Sequence, residues 1–211
     1  SADRRRFQRF VDAARKAGYV VKLLAVCERL LEAGEEAISV RVYPALVDRK
    51  HPLASVHGAN NAVFVQAEAA GDLMFYGAGA GGIQTASAVL GDVVSAARRH
   101  VAGGVGVAES TRANLPILPI GHVSTRYQIT LEVADQTGVL ATIAGILSDG
   151  GVSVATVEQT TAAGVDGAPT ARLVIGTHTA REQDLSDTVD HLAASDVVTR
   201  VASVLRVEGS N

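Results

Sequence analysis

The sequence predicts an α+β protein: a mainly antiparallel sheet with helices on one face, followed by a smaller unit of alternating strands and helices. Three observations carry that expectation. Residues 37–47 alternate apolar and polar side chains, as a half-buried strand does. Residues 73–99 pass from an apolar run through a glycine-rich loop into a stretch of helical spacing. From Ser124 onward, strand patterns and helix patterns follow one another in the order βαββαβ.

The elements are justified in order as follows. Residues 4–17 form an amphipathic helix, with Phe7, Phe10, Val11 and Ala14 on one face and Arg5, Arg9, Asp12 and Lys16 elsewhere. Gly18 ends it. Residues 19–30, β-branched at Val20, Val21 and Val26, form a strand, and 31–36 a polar turn. Along 37–47 the pattern places Ile38, Val40, Val42 and Ala45 on the buried face and Ser39 and Arg41 on the other. Pro52 opens a short helical turn that Gly58, Asn60 and Asn61 close. A strand over 62–69 and a turn at 70–72 lead to a strand over 73–76. Residues 101–122 hold Gly103, Gly104, Gly106, Pro116 and Pro119 without periodicity and read as a linker.

Beyond the linker, 126–133 alternates as a strand, and 135–140 turns into a helix over 139–149 that Gly150 and Gly151 end. A strand over 152–159, a loop over 160–169 and a strand over 171–177 come next. A helix over 181–194 and a strand over 197–207 complete the order, which is that of a ferredoxin-like unit.

Composition narrows the function. A chain of 211 residues, 47% hydrophobic, can bury a sizeable core in one large or two small domains. A formal charge of -3 gives no reason to invoke nucleic acid or an anionic membrane. The basic run Arg4, Arg5, Arg6 is short and reads as solvated. With a single cysteine, Cys27, there is no internal disulfide framework and no multi-cysteine metal site. Cys27 lies in an apolar run and is expected to be a buried thiol. His51 and His57 lack i, i+4 spacing and a third partner, so no metal site is expected. Glu28, Glu32, Glu35 and Glu36 read as a solvated face, as do Asp184, Asp187 and Asp190. No apolar stretch reaches bilayer length and no signal-peptide pattern precedes the first helix, so the cytoplasm is the expected compartment.

The glycine stretch carries the clearest chemistry. Gly77, Gly79, Gly81 and Gly82 leave only the methyls of Ala78 and Ala80 between Tyr76 and Ile83. Thr85 is placed to cap the helix over 86–99. Bare backbone feeding a helix N-terminus offers N–H groups and a positive dipole end to a phosphate, a nucleotide or a carboxylate. The letters Gly77-x-Gly79-x-x-Gly82 also fit a dinucleotide fingerprint. They lack the parallel strand after the helix and the acid about 20 residues on that a Rossmann turn requires, so that fold is not the reading.

Two resemblances rest on these residues. Residues 124–208, with Asp135-Gln-Thr-Gly138-Val139-Leu140 and the run that starts Gly150-Gly-Val-Ser-Val, resemble an ACT domain, a small-molecule sensor. The resemblance implies an amino-acid ligand, threonine foremost, held by Asp135, Gly138 and Val139, with Ser153 and Val154 toward a partner copy. Asp135 and the free N–H groups of the helix start suit the two ends of a zwitterion. Residues 1–105 resemble the C-terminal part of the catalytic region of homoserine dehydrogenase. The matching segments are Lys22-Leu-Leu-Ala-Val-Cys, Val42-Tyr-Pro-Ala-Leu-Val, His51-Pro-Leu-Ala, Asn61-Ala-Val, Tyr76-Gly-Ala-Gly-Ala-Gly-Gly and Thr85-Ala-Ser-Ala-Val-Leu-Gly-Asp. That resemblance implies NAD(P)-dependent interconversion of aspartate semialdehyde and homoserine, with Gly81 at the nicotinamide cofactor and Gly77 and Gly79 shaping the same turn. The family's nucleotide-binding domain and catalytic lysines have no counterpart here, which implies no turnover by this chain alone. A homo-oligomer is expected, since a sensor sheet has an edge to pair. The boundaries implied are 1–105, a linker over 106–123, and the sensor over 124–208. The alternative is a free-standing amino-acid-binding module or a dimerisation scaffold.

Overall fold

A computed structural model describes residues 2–103, 114–163 and 169–209. The chain divides into two compact units, Ser1–Asp48 with Leu115–Asn211, and Arg49–Asn114.

In the first unit, α1 (Ala2–Lys16) leads into β1 (Tyr19–Glu32) and β2 (Glu35–Asp48). Ala33 and Gly34, both at positive φ, make the two-residue hairpin turn that matches strand twist. After the linker come β5 (Ser124–Thr125), β6 (Tyr127–Ala134), α3 (Val139–Asp149) and β7 (Val154–Ala163). They are followed by β8 (Pro169–Thr177), β9 (Ala180–Arg181), α4 (Glu182–Ala194) and β10 (Val198–Glu208). The sheet order is β1-β2-β10-β6-β8-β7, antiparallel except where β10 runs parallel to β2. The predicted βαββαβ unit is therefore present, and its sheet is continued by the first hairpin of the chain.

The main core lies between that sheet and the helices α3 and α4. Ile129, Leu131, Ile143, Leu173, Ile175, Leu185 and Leu192 are fully buried there. A smaller cluster on the opposite face packs Phe10 and Ala14 of α1 against Leu46 and Val207. The basic run Arg4 to Arg6 lies on α1, but its side chains fall outside the described residues, as do residues 104–113, which include the first part of the linker, and residues 164–168 between β7 and β8.

The second unit contains a 3-10 turn (Pro52–Ser55), the hairpin β3 (Asn60–Ala67) and β4 (Gly71–Ala78), and α2 (Gly82–Val101). The four strands of the first half thus belong to two sheets, because β2 takes β10 as its second neighbour and β3 pairs with β4. Among the described residues, no helix is long and apolar enough to cross a membrane.

Two expectations are corrected here. The face of β2 is inverted over 37–43: Ala37, Ser39, Arg41 and Tyr43 are buried, while Val40 and Val42 are 57% and 65% exposed; Ala45 is buried as expected. The alternation is real, but a polar network rather than apolar packing claims the inner face. Cys27 is exposed, not buried. It stands opposite Val40 in the register, so the same inversion carries it outward.

Candidate functional site

The glycine loop is built by the β3–β4 register. Gly77 pairs with Asn61 and Ala78 with Asn60, and Gly79 N–H donates to the Ala59 carbonyl at 3.2 Å. A side chain at Gly79 would collide with the Asn61 carboxamide, whose nitrogen lies 1.5 Å from the position of a Cβ. Gly81 has φ +145°, and the Gln84 side chain folds back over it, 2.1 Å from where a Cβ would sit. Gly77 differs: nothing lies within 4 Å of its absent Cβ. Residues 77–82 are exposed throughout. The helix begins at Gly82 with Gly81 as its N-cap and no side-chain cap, and Thr85 N–H already bonds the Gly81 carbonyl at 2.9 Å. The expected cap at Thr85 is therefore wrong by a full turn, because the glycine backbone itself starts the helix. The first-turn N–H groups stay open at an exposed surface, which is the arrangement that accepts an anion. The sequence reading takes Asn61 only as a turn-closing residue and does not single out Gln84; an amide beside a glycine run was the available signal.

The second candidate is the turn before α3. Gly138 is its N-cap at φ +90°, which only glycine adopts freely. Its carbonyl accepts from Thr142 N–H at 2.9 Å and from the Thr142 hydroxyl at 3.2 Å. Asp135 is exposed in the same turn. Val139 is buried in the main core, so it can offer a ligand its N–H but not its side chain. Ser153 and Val154 stand at the start of β7. Ser153 is exposed with its carbonyl bonded by His178 N–H, and Val154 leans on the core.

A third feature was not read from the sequence. Arg41, 6% exposed, donates to the Tyr43 hydroxyl at 2.9 Å and to Ser39 at 3.0 Å, and pairs with Glu28 at 2.6 Å. The Tyr43 hydroxyl donates to Glu208. Arg206 stacks on the Tyr43 ring at 4.5 Å and reaches Tyr127 at 5.7 Å. Its guanidinium binds both oxygens of buried Glu182, which also accepts from the Tyr127 hydroxyl at 2.7 Å. Burial works against the charge of Arg41 and Arg206. The bonds to Tyr43 and Glu28 in one case, and to Glu182 in the other, outweigh it and raise both. Tyr43 is pushed up to about 12 by burial and then by Glu208. Tyr127 is raised in the same way, by burial and then by Glu182. The network joins β2, from the first part of the chain, to β10, β6 and α4. Glu28 and Glu32 are thus not merely a solvated face: Glu32 also meets His122 at 3.1 Å and Arg181 at 3.4 Å.

Comparison with known proteins assigns both parts of the chain. The family model described as homoserine dehydrogenase matches residues 2–94, and the one described as ACT domain matches 127–197. The homoserine dehydrogenase of Corynebacterium glutamicum is 51% identical over 199 residues, covering 94% of this chain and 44% of that protein. That of Bacillus subtilis is 34% identical over 203 residues, covering 95% and 45%. A crystal structure of a homoserine dehydrogenase from Thiobacillus denitrificans superposes with a TM-score of 0.82 at 33% identity, over 94% of this chain and 44% of that one. The chain therefore spans less than half the length of the relatives it matches. Glycine loop and sensor unit follow one another here within a single continuous alignment to those relatives, and on that ground the chain belongs to the homoserine dehydrogenase family, with an ACT domain as its second part.

Proposed function

We propose that this chain is the cofactor-facing and regulatory portion of an enzyme that interconverts L-aspartate 4-semialdehyde and L-homoserine with NAD(P), in the synthesis of threonine and methionine. The observation that carries the reading is the exposed glycine loop, above all Gly77, where the chain leaves open the space a side chain would fill. Close approach of a ligand to backbone is the ordinary reason to keep glycine where no neighbour demands it. In this reading Gly77, Gly79 and Gly81 form one wall of the cofactor cleft, and the N–H groups at the start of α2 face a polar or anionic part of the cofactor. NAD(P), when bound, supplies hydride transfer. The loop's part is to position that group and to admit it without steric conflict. The proton-transfer residues and the rest of the cleft would come from the portion of the longer relatives that this chain does not match, so the isolated chain is expected to show no turnover.

The ACT domain is proposed to bind an amino-acid effector, threonine first, at Asp135, Gly138 and Val139, with Ser153 and Val154 toward a second copy. A homo-oligomer through the sheet and the ACT domain, and residence in the cytoplasm, belong to the same reading, as do the boundaries 1–105, 106–123 and 124–208.

The test is Gly77→Val in the longer enzyme to which such a chain belongs. Gly77 has ordinary φ and free space, so the variant should keep its melting temperature. We expect KM for the nucleotide to rise at least tenfold while effector binding holds. Unchanged nucleotide kinetics would remove the loop from the cofactor site.

A further inference from the structure

The hairpin of β3 and β4 carries a slot on one of its faces, made by a missing side chain. In an antiparallel pair, alternate residues share a face, and so do residues directly opposite each other. Asn61, Val63 and Val65 stand opposite Gly77, Phe75 and Leu73, so these six positions form one face. Phe75 and Val63 are 64% and 62% exposed on it. Gly77 contributes no side chain, and nothing lies within 4 Å of where its Cβ would be. The Asn61 side chain leans toward Gly79, its nitrogen 1.5 Å from the Cβ position there. The space over Gly77 is therefore bounded on one side by a carboxamide and on the other by an aromatic ring.

Those two groups select a ligand. No charged side chain stands among the six, so none balances a phosphate or a carboxylate. Phe75 is two residues from Gly77, about 7 Å along the strand. That is within the roughly 4.5–7 Å over which aromatic rings attract one another. The Asn61 carboxamide offers N–H donors and a carbonyl acceptor. Among the described residues it has no hydrogen-bond partner, whereas the Asn60 carboxamide, on the other face, donates to the Tyr76 hydroxyl at 2.6 Å. A flat ring that carries its own carboxamide satisfies both sides of the slot at once. Oxidised nicotinamide is such a ring, and its positive charge is drawn to an aromatic face. Adenine shares the donor and acceptor edge but is neutral.

We propose that the slot over Gly77 holds the nicotinamide ring of NAD(P), packed against Phe75 and with its carboxamide hydrogen-bonded to Asn61. The proposal rests on the reading of the glycine loop as a wall of the cofactor cleft. It names the end of the cofactor that meets the wall, and it makes Asn61 and Phe75 the residues that orient the ring.

The experiment is calorimetric titration of the longer enzyme with three oxidised dinucleotides. They are the natural cofactor, a form with plain pyridine in place of nicotinamide, and a form with hypoxanthine in place of adenine. Asn61→Leu should raise the dissociation constants of the first and third at least tenfold and leave that of the pyridine form within twofold. Phe75→Leu should raise all three at least threefold, since each carries the ring. Equal weakening of all three by Asn61→Leu would overturn the carboxamide pairing. An Asn61 effect that vanishes with the hypoxanthine form would put adenine in the slot and overturn the proposal as well. Unchanged affinity in Phe75→Leu overturns it alone, so the proposal stays testable even if Asn61→Leu does not fold. If Gly77→Val weakens binding while the other two variants do not, the loop remains at the cofactor and this assignment falls. Unchanged affinity in all three variants would remove both readings.

Discussion

The two compact units solve opposite problems with similar sequence material. The unit built on the six-stranded sheet buries its large apolar side chains completely: Leu131, Ile143, Leu173 and Leu185 have no more than 1% of their surface exposed. The unit holding the glycine loop leaves Val63, Phe75, Leu90 and Val93 exposed, and α2 has no buried residue along its 20 positions. Both show clear amphipathic periodicity. In one the apolar stripe meets a partner within the chain, and in the other it faces outward. Bare apolar surface of this kind marks an interaction face. Under the proposed function it belongs against the remainder of the longer enzyme. Periodicity thus reports that a face is meant to be covered, not by what.

Several measurements would break or sharpen that contrast. The largest effect is expected at the seam of the six-stranded sheet. Arg206→Met leaves Glu182, 5% exposed, without its cation and should cost about 3–5 kcal/mol in denaturant unfolding. A loss under 1 kcal/mol would mean that the network is ornamental. Leu173→Ala in the main core should cost about 2–5 kcal/mol, while Val93→Ala on α2, in the isolated chain, should stay within about 0.5 kcal/mol. Equal costs would erase the distinction between the units. Gly138→Ala forces a side chain into φ +90° and should cost about 1–2 kcal/mol of melting stability.

The smallest effect is expected at alkaline pH. The folded state holds the Tyr43 proton up to about pH 12, above the ordinary tyrosine value of about 10. A raised value means that the folded state favours the protonated form. The contribution is complete below about pH 10 and is lost as pH rises toward 12. Ultraviolet titration should show a late tyrosine component that shrinks in Tyr43→Phe and in Tyr127→Phe. An unchanged profile in both variants would contradict the burial of these hydroxyls.

The parts legible in the sequence were those set by local chemistry. Helix α3 was predicted over 139–149 and forms there, because Gly138 and Gly150 bracket a clean apolar period. The βαββαβ order followed from the same punctuation. The glycine loop was legible as exposed backbone before a helix, although the helix starts at Gly82 rather than beyond Thr85. What escaped was whatever depends on distant partners. Ser39 and Arg41 looked like a solvent face because nothing nearby announces that Glu208, 165 residues beyond Tyr43, closes a polar network beneath them. Cys27 was misplaced for the same reason.

Under the proposed function, the parallel pairing of β10 with β2 has a practical consequence for anyone seeking a version freed from effector control. Arg206, Val207 and Glu208 lie alongside Ala45, Leu46 and Val47. Excising the C-terminal module would therefore not detach a bead from a string. It would tear a strand from the middle of a continuous ribbon, bare the fully buried Leu46, and leave a sticky margin open to other chains. Point changes on the outer surface of the ACT domain disturb the fold less than excision does.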